Sequence, residues 1–393
     1  MTAARGSPVV LAVDFGTTNT VGVARWGHRR PSQVVVDGAP SMPSAVLLGH
    51  DGSLIVGQDA LRLGRAAAAR LEPRPKSRLD EDAVLLGDRT VDVLDAVRAV
   101  LARLCGEVAN QAGTPVEHLV LTHPADWGAV RLARAATGLA ARTSLVPEPV
   151  AAAAAGLPAG GTRAVLDFGG GTCDAAVVRA AGPDAAPGNS VLACAGLSDL
   201  GGDDLDQRIV DFVLGRSPSA AGRLAGIVST QDIKVLRDRL LLREDARTAK
   251  ELLSRHDLAR VAVPGLDEPV VVRRADFERI VAADLERAAT LLAGVLDTAG
   301  VPVDEVLLVG GSSRIPALGE LPRDRLDVPV TNAREPEPMA AFGALAVTGS
   351  TEPTAAHPVA LAASAPVASA PVRVPVPAAA PPAGRGRRRW PSC

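Results

Sequence analysis

The 393-residue chain has no tyrosine, and its aromatic residues amount to only 2%. Modules that stack nucleobases on exposed rings need such residues, so no nucleic-acid partner is expected. Lysine is scarce too: three Lys stand among 42 basic residues, an arginine bias that reads as base composition of the gene and not as a basic face. The four cysteines (Cys105, Cys173, Cys194, Cys393) form no CxxC pair and no metal-ligand spacing, which argues against a disulfide scaffold, a zinc site or a metal cluster. No apolar run reaches the roughly eighteen residues that a membrane span requires. The first apolar run is broken by Asp14 and preceded by a single Arg, so it does not read as a signal peptide; a cytoplasmic chain is expected. No Gly-x-x-x-x-Gly-Lys-Ser/Thr, His-Glu-x-x-His or Gly-x-Ser-x-Gly occurs, and no Gly-x-Gly-x-x-Gly follows a strand.

What is present suffices for a large core: 47% apolar and 22% charged residues with a net charge of −2. At roughly 150 residues per domain, the length suggests two domains plus extras. Charge is uneven. Residues 348–393 hold nine Pro and five Arg against one acid, Glu352. Such a stretch cannot bury enough apolar surface to offset its ordering entropy, so a disordered Pro/Ala-rich tail is expected there. Its basic end, Arg385-Gly386-Arg387-Arg388-Arg389-Trp390, is suited to an anionic surface.

Up to residue 347, short β-type runs alternate with helical patterns. The strands are expected at 9–13, 34–36, 45–48, 119–122, 164–168, 175–178, 191–193, 270–272 and 306–309. Apolar residues at three- and four-residue spacing predict helices over 93–104, 129–141, 204–214, 231–253 and 275–299. Pro338 suits the first turn of a last helix reaching about Val347. The mixture predicts an α/β fold in several layers.

The most informative feature is a near-repeat. Val9-Val10-Leu11-Ala12-Val13-Asp14-Phe15-Gly16-Thr17-Thr18-Asn19 is echoed by Ala164-Val165-Leu166-Asp167-Phe168-Gly169-Gly170-Gly171-Thr172-Cys173-Asp174. In each, an apolar strand ends in Asp-Phe-Gly and is followed by glycine or hydroxyl residues and a second apolar strand, which makes a hairpin with a glycine-rich turn. Such turns let N–H groups converge on phosphate oxygens, and Thr17, Thr18 and Thr172 add hydroxyls. An Asp at the end of a buried strand is costly unless matched; Mg²⁺ on a polyphosphate would match Asp14, Asp167 and Asp174. One copy alone is an ordinary turn; two copies point to phosphate binding. A third turn, Gly310-Gly311-Ser312-Ser313-Arg314, could receive a flat ring with Arg314 stacked on it. A fourth, Gly201-Gly202-Asp203-Asp204, leads into a helix and could aim N–H groups at phosphate. Taken from the residues alone, Lys76 is a solvated loop residue; for Lys250 an exposed charge on a helix face is the alternative to a ligand.

In this order the segments resemble the actin-like ATPase superfamily, and more closely the nucleotide-binding domain of the seventy-kilodalton heat-shock chaperones of the DnaK type. Residues 14–19 and 167–174 resemble that family's two phosphate loops. Val146-Pro147-Glu148-Pro149-Val150-Ala151-Ala152-Ala153 is similar to its first connecting helix, residues 310–316 to its adenosine loop, and 335–345 to its second connecting helix. Leu121-Thr122-His123-Pro124-Ala125 resembles the strand end that carries an interlobe proline.

The resemblance implies two similar lobes with ribonuclease-H-like cores, residues 8–160 and 161–347, closing over ATP or ADP with Mg²⁺. It places Gly16, Thr17, Thr18 and Asn19 on the β and γ phosphates, and Gly169, Gly170, Gly171 and Thr172 on the γ phosphate. Asp14, Asp167 and Asp174 would hold Mg²⁺ through water. Lys76 would orient the attacking water with Glu148 alongside, and Asp167 and Thr172 complete the catalytic set. Gly201, Gly202, Lys250, Ser254, Gly310, Gly311, Ser312, Arg314 and Glu337 would contact the nucleotide. Three positions depart from the family: Arg247 stands where a glutamate is usual, and Glu337-Pro338 where Asp-Glu is usual. No alternating strand pattern follows residue 350, so no peptide-gripping β-sandwich is expected. The implied function is a slow ATPase acting as a nucleotide-dependent switch whose output is a protein partner. The alternatives are a nucleotide-binding module without turnover and a small-molecule kinase of the same fold.

Overall fold

Strand 9–15 explains why its residues are apolar on both sides. Leu11, Val13 and Phe15 point into one core and Val10 and Ala12 into another, as expected for a strand covered on both faces. The computed structural model describes residues 8–124, 129–155, 157–182, 189–224, 232–325, 328–333 and 335–349, the side chains of 233, 321–325 and 349 excepted. Residues 350–393, Ala125 and Gln231 lie outside the described residues, and with them the expected tail except Thr348 and Gly349, which instead end the last helix.

Two sheets of matching topology carry the molecule. In the first, Arg142–Pro147, His118–His123, Val9–Phe15, Asn19–Trp26 and Ser32–Gln33 lie side by side, with Met42–Pro43 also paired to Asn19–Trp26. In the second the order is Val330–Asn332, Glu305–Val309, Thr162–Phe168, Cys173–Arg179, Ser190–Leu197. Each has an antiparallel Asp-Phe-Gly hairpin, a further strand antiparallel to the hairpin's second arm, and two parallel strands beyond its first. The repeat in sequence is thus a repeat in fold.

Helices cover both faces. Val93–Ala112 packs Val93, Val97, Val100, Leu101 and Leu104 on the first sheet. Asp92 caps it by accepting from the Leu94 N–H, and Gly113 ends it in the left-handed region at φ 68°, the usual pairing of a helix's two ends. Gly202–Gly215 and Arg274–Ala299 pack on the outer side of the second sheet, and Ile233–Leu253 packs against Gly202–Gly215 and the strand Leu258–Val261. Between the sheets run Glu148–Ala154 and Met339–Gly349. Val150 and Ala151 face the first sheet, while Ala152 and Ala153 face the second. The two helices cross where Gly343 meets Ala151, so closely that a Cβ on Gly343 would fall 1.6 Å from the Ala151 carbonyl oxygen.

Several expectations need correction. The strand expected at 34–36 is Ser32–Gln33 followed by an isolated Val36–Ala39 bridge; Val34 and Val36 are buried as core side chains without a ladder. The helix expected over 129–141 stops at Ala135, before the Thr137-Gly138 turn, with Gly138 at φ 77°. Pro338 precedes its helix, which runs Met339–Gly349. The short hairpin Ala83–Leu86 with Arg89–Asp92 and the strand Leu258–Val261 were not expected, because each strand is only four residues long and shows no regular apolar–polar alternation.

Candidate functional site

Both hairpin turns open into one cleft of about 950 Å³, near the top of the range usual for small-molecule sites. From the first hairpin it is lined by Asp14, Gly16, Thr17, Thr18 and Asn19, and from the second by Asp167, Gly169, Gly170, Gly171 and Thr172. Lys76, Glu148, Gly202, Lys250, Ser254, Gly310, Gly311, Ser312, Arg314 and Glu337 complete the expected set on its wall. Asp174 and Gly201 stand behind that wall. Asp174 borders a small cavity of about 40 Å³, shared with Glu148 and Asp167, which has room for a water.

Glycine makes the meeting of the two turns possible. A Cβ on Gly170 would lie 2.0 Å from Thr18 Oγ1, and one on Gly171 2.5 Å from Thr17 Cγ2. Thr18 Oγ1 is buried without a hydrogen-bond partner. Among the described residues the N–H groups of Gly170 and Gly171 also lack one. Orphaned donors around an open cleft are what a polyanion would satisfy. The fourth turn behaves differently from expectation. The N–H groups of Gly202 and Asp203 donate to Gly169 O (2.9 Å) and Gly170 O (2.8 Å), and that of Gly201 to Asp204 Oδ2 (2.7 Å). The Gly202 and Asp203 donors brace the second turn, that of Gly201 closes its own turn, and none of the three is free for phosphate.

At the cleft floor, charge is concentrated and buried. Lys76 sits on the single 3-10 turn Pro75–Arg78 and is 6% exposed, with its Nζ 2.9 Å from Glu148 Oε1. It is no solvated loop residue. Burial works against its charge, but Glu148 and Asp14 outweigh that and raise its pKa above the ordinary value. Asp14 is pushed up to about 6, chiefly by burial and then by Glu148; Lys76 and a hydrogen bond from Thr122 Oγ1 (2.7 Å) only partly offset this. Asp167 is raised well above the usual carboxylate range by burial and by Glu148, Asp14 and Asp174. Thr172 Oγ1 donates to Asp174 Oδ2 at 2.7 Å.

Four carboxylates thus face one ammonium. That surplus of hard oxygen donors and negative charge fits a divalent cation such as Mg²⁺. Among the described residues no three His, Cys, Asp or Glu side chains are gathered closely enough to hold an ion by themselves. The fit is therefore to a cation whose shell is completed by phosphate and water, and Asp14, Asp167 and Asp174 are the residues that would hold it.

On the opposite wall, Lys250 is buried (9% exposed) and donates to Gly202 O at 2.6 Å while pairing with Asp206 Oδ1 at 2.7 Å. The alternative of an exposed helix charge does not hold: one N–H of Lys250 is committed to Gly202 O and its charge is matched by Asp206. Arg314 pairs with Glu337 at 2.6 Å, so two expected ligands hold each other. Ser254 Oγ donates weakly to Lys250 O, 3.4 Å away. With its amide oriented to suit both neighbours, Asn19 accepts from Arg247 Nη2 at 3.0 Å and donates to Thr18 O at 3.3 Å. Sequence reasoning missed Asp206, the counterion of Lys250. Its signal was its place one helical turn after Gly202, on the same face. It also missed the Arg74–Asp203 pair at 2.8 Å, which no local pattern announces.

A family model, described as Hsp70 protein, matches residues 87–368, well over half of the chain. The chain belongs to the Hsp70 family. The match takes in Glu148, the second hairpin and the third glycine turn. The first Asp-Phe-Gly hairpin and Lys76 lie before it and line the same cleft as the matched residues. Membership makes this a nucleotide-binding domain of chaperone type with a mixed α/β fold of the actin-like ATPase class. No described helix is long and apolar enough to cross a membrane.

Proposed function

We propose that this chain binds ATP with Mg²⁺ in the cleft, hydrolyses it slowly, and uses the resulting change in cleft closure to signal to a protein partner. The observation that carries this reading is the buried Lys76–Glu148 pair beside Asp14 and Asp167, where the two glycine turns meet. Gly16, Thr17, Thr18 and Asn19 receive the β and γ phosphates, and Gly169, Gly170, Gly171 and Thr172 receive the γ phosphate. Lys76, held by Glu148, orients the attacking water and donates to a γ oxygen. Asp167 and Thr172 complete the arrangement around the reacting phosphorus. Lys250, Ser254, Gly310, Gly311, Ser312, Arg314 and Glu337 take the nucleoside end, while Gly202 braces the second turn and Gly201 is closed on Asp204 beside it. Asp14, Asp167 and Asp174 would hold Mg²⁺, which would supply charge neutralisation on the phosphates when bound. Phosphoryl transfer needs little more from a protein than such positioning and electrostatic support. In this reading residues 8–160 and 161–347 are the two lobes that close.

Single-turnover hydrolysis of ATP by wild type and Lys76→Ala tests the proposal. Loss of a donor to the transferring phosphate should slow the step at least about tenfold while ATP still binds. Equal rates in the two proteins would leave nucleotide binding without this chemistry.

A further inference from the structure

Glu148, the partner of Lys76, opens the short helix Glu148–Ala154, and the side chains of that helix do little to fix where it stands along its axis. After Val150 they are all alanine, which offers no large knobs to lock against neighbouring elements. Pro147, before the helix, provides no side-chain cap, and Ala155, after it, is extended, with no glycine to close the last turn. The last carbonyls of a helix need partners from outside it. Here one side chain supplies them: Arg163 Nη1 donates to Ala153 O and to Ala155 O, each at 2.9 Å.

Arg163 is 6% exposed and stands opposite Glu305 in the parallel ladder of the second sheet. Its Nε donates to Glu305 Oε1 at 2.9 Å, and its Nη2 reaches the same oxygen. Arg163, Val165 and Asp167 alternate along one strand and so share a face, on which Ala152 and Ala153 pack beside Val165. Helix and strand are thus joined at one end by Arg163. They meet again at the other, where Glu148 and Asp167 border one small cavity. Only about 9 Å of helix separates the two ends. Apolar side chains can often replace a buried ion pair without loss of stability, and Leu307 and Val309 fill the same face further along. An apolar pair could not hold an alanine helix by its carbonyls.

We propose that Arg163, braced by Glu305, is a positioning residue that sets the place of Glu148 and, through it, of Lys76. Its effect on rate rests on the hydrolysis proposed above; its effect on Lys76 does not. A misplacement of about 1 Å at a reacting group can slow a reaction about 100-fold.

Amine labelling tests this independently of turnover. The three lysines of the chain are Lys76, the buried Lys250 on the opposite wall and the exposed Lys234. Acetylation of the nucleotide-free protein, followed by mass spectrometry, reads each one. Arg163→Met, which keeps the apolar stem, should label Lys76 at least about fivefold faster than wild type. Lys250 and Lys234 should keep their wild-type rates, and Arg163→Lys, whose ammonium lacks the fork, should fall between. Single-turnover hydrolysis by Arg163→Met should slow at least about tenfold at saturating ATP, with ATP affinity unchanged. Glu305→Gln should move both readouts the same way, and it decides the matter if Arg163→Met does not fold. Wild-type labelling of Lys76 in the folded variants would overturn the proposal. So would faster labelling of Lys76 and Lys250 together, the mark of general loosening, or full-speed hydrolysis by Arg163→Met. No hydrolysis by wild type would instead overturn the ATPase reading, and the labelling would still decide the role of Arg163.

Discussion

Asp14 concentrates the electrostatic conflict of the site in one carboxylate. Its folded pKa of about 6 stands above the ordinary 3.8, so between those values the native state holds a proton that the unfolded chain has released. Stability therefore falls as pH rises through that window, and the penalty is complete above it. Asp14→Asn keeps an oxygen to accept from Thr122 and removes the charge. Without nucleotide or metal, the variant should melt higher than wild type at pH 7.5, and the advantage should shrink as pH drops toward 4. Thermal melts across that range check this; a pH-independent difference would show that the carboxylate is not the cause. With ATP and Mg²⁺ the same variant should turn over at least about tenfold more slowly. A residue that weakens the fold and serves the chemistry is expected at a functional site.

Among the elements, the crossing of Glu148–Ala154 with Met339–Gly349 depends most on small residues. A methyl on Gly343 would strike the Ala151 backbone, and overpacking of this kind costs about 1–3 kcal/mol. Gly294, within Arg274–Ala299, has nothing within 4 Å of where its Cβ would stand. Gly343→Ala should destabilise the protein by about 1–3 kcal/mol in urea unfolding, while Gly294→Ala should stabilise it by about 0.5–1 kcal/mol. A shared sign would sink the argument from packing. The last two turns of helix 93–112 hold fewer buried apolar residues, so the periodicity over 93–104 stops eight residues short of Ala112; both hairpins and the first three turns of that helix were legible in sequence because periodicity and turn residues are local. The thin hairpin Ala83–Leu86 with Arg89–Asp92 was not, since half-exposed strands leave no apolar alternation to read.

For the whole molecule, ion pairs reach across the cleft from the first-sheet side to the second. Arg74 pairs with Asp203 at 2.8 Å and Arg65 with Glu244 at 2.7 Å. Partly exposed pairs are worth about 0.2–1 kcal/mol each, which limits their effect on rates to about fivefold. Arg74→Ala should accordingly speed release of a fluorescent ADP analogue by up to about fivefold in stopped flow, and added salt should narrow the gap from wild type. Release slowed by the substitution would mean that the pair opposes closure.

The amino-acid sequence by itself determined the duplicated Asp-Phe-Gly hairpins and the presence of the main helices, because each depends on neighbours within a few residues. Only the tertiary structure decided that Lys76 is buried against Glu148, that Lys250 is tied to Asp206, and that the Gly202 and Asp203 amides brace a turn. These outcomes depend on which groups lose their water together. Partners separated by 72 residues in the chain, as Lys76 and Glu148 are, share no local pattern; burial brings them into one low-dielectric space, where a charge must find a counterpart.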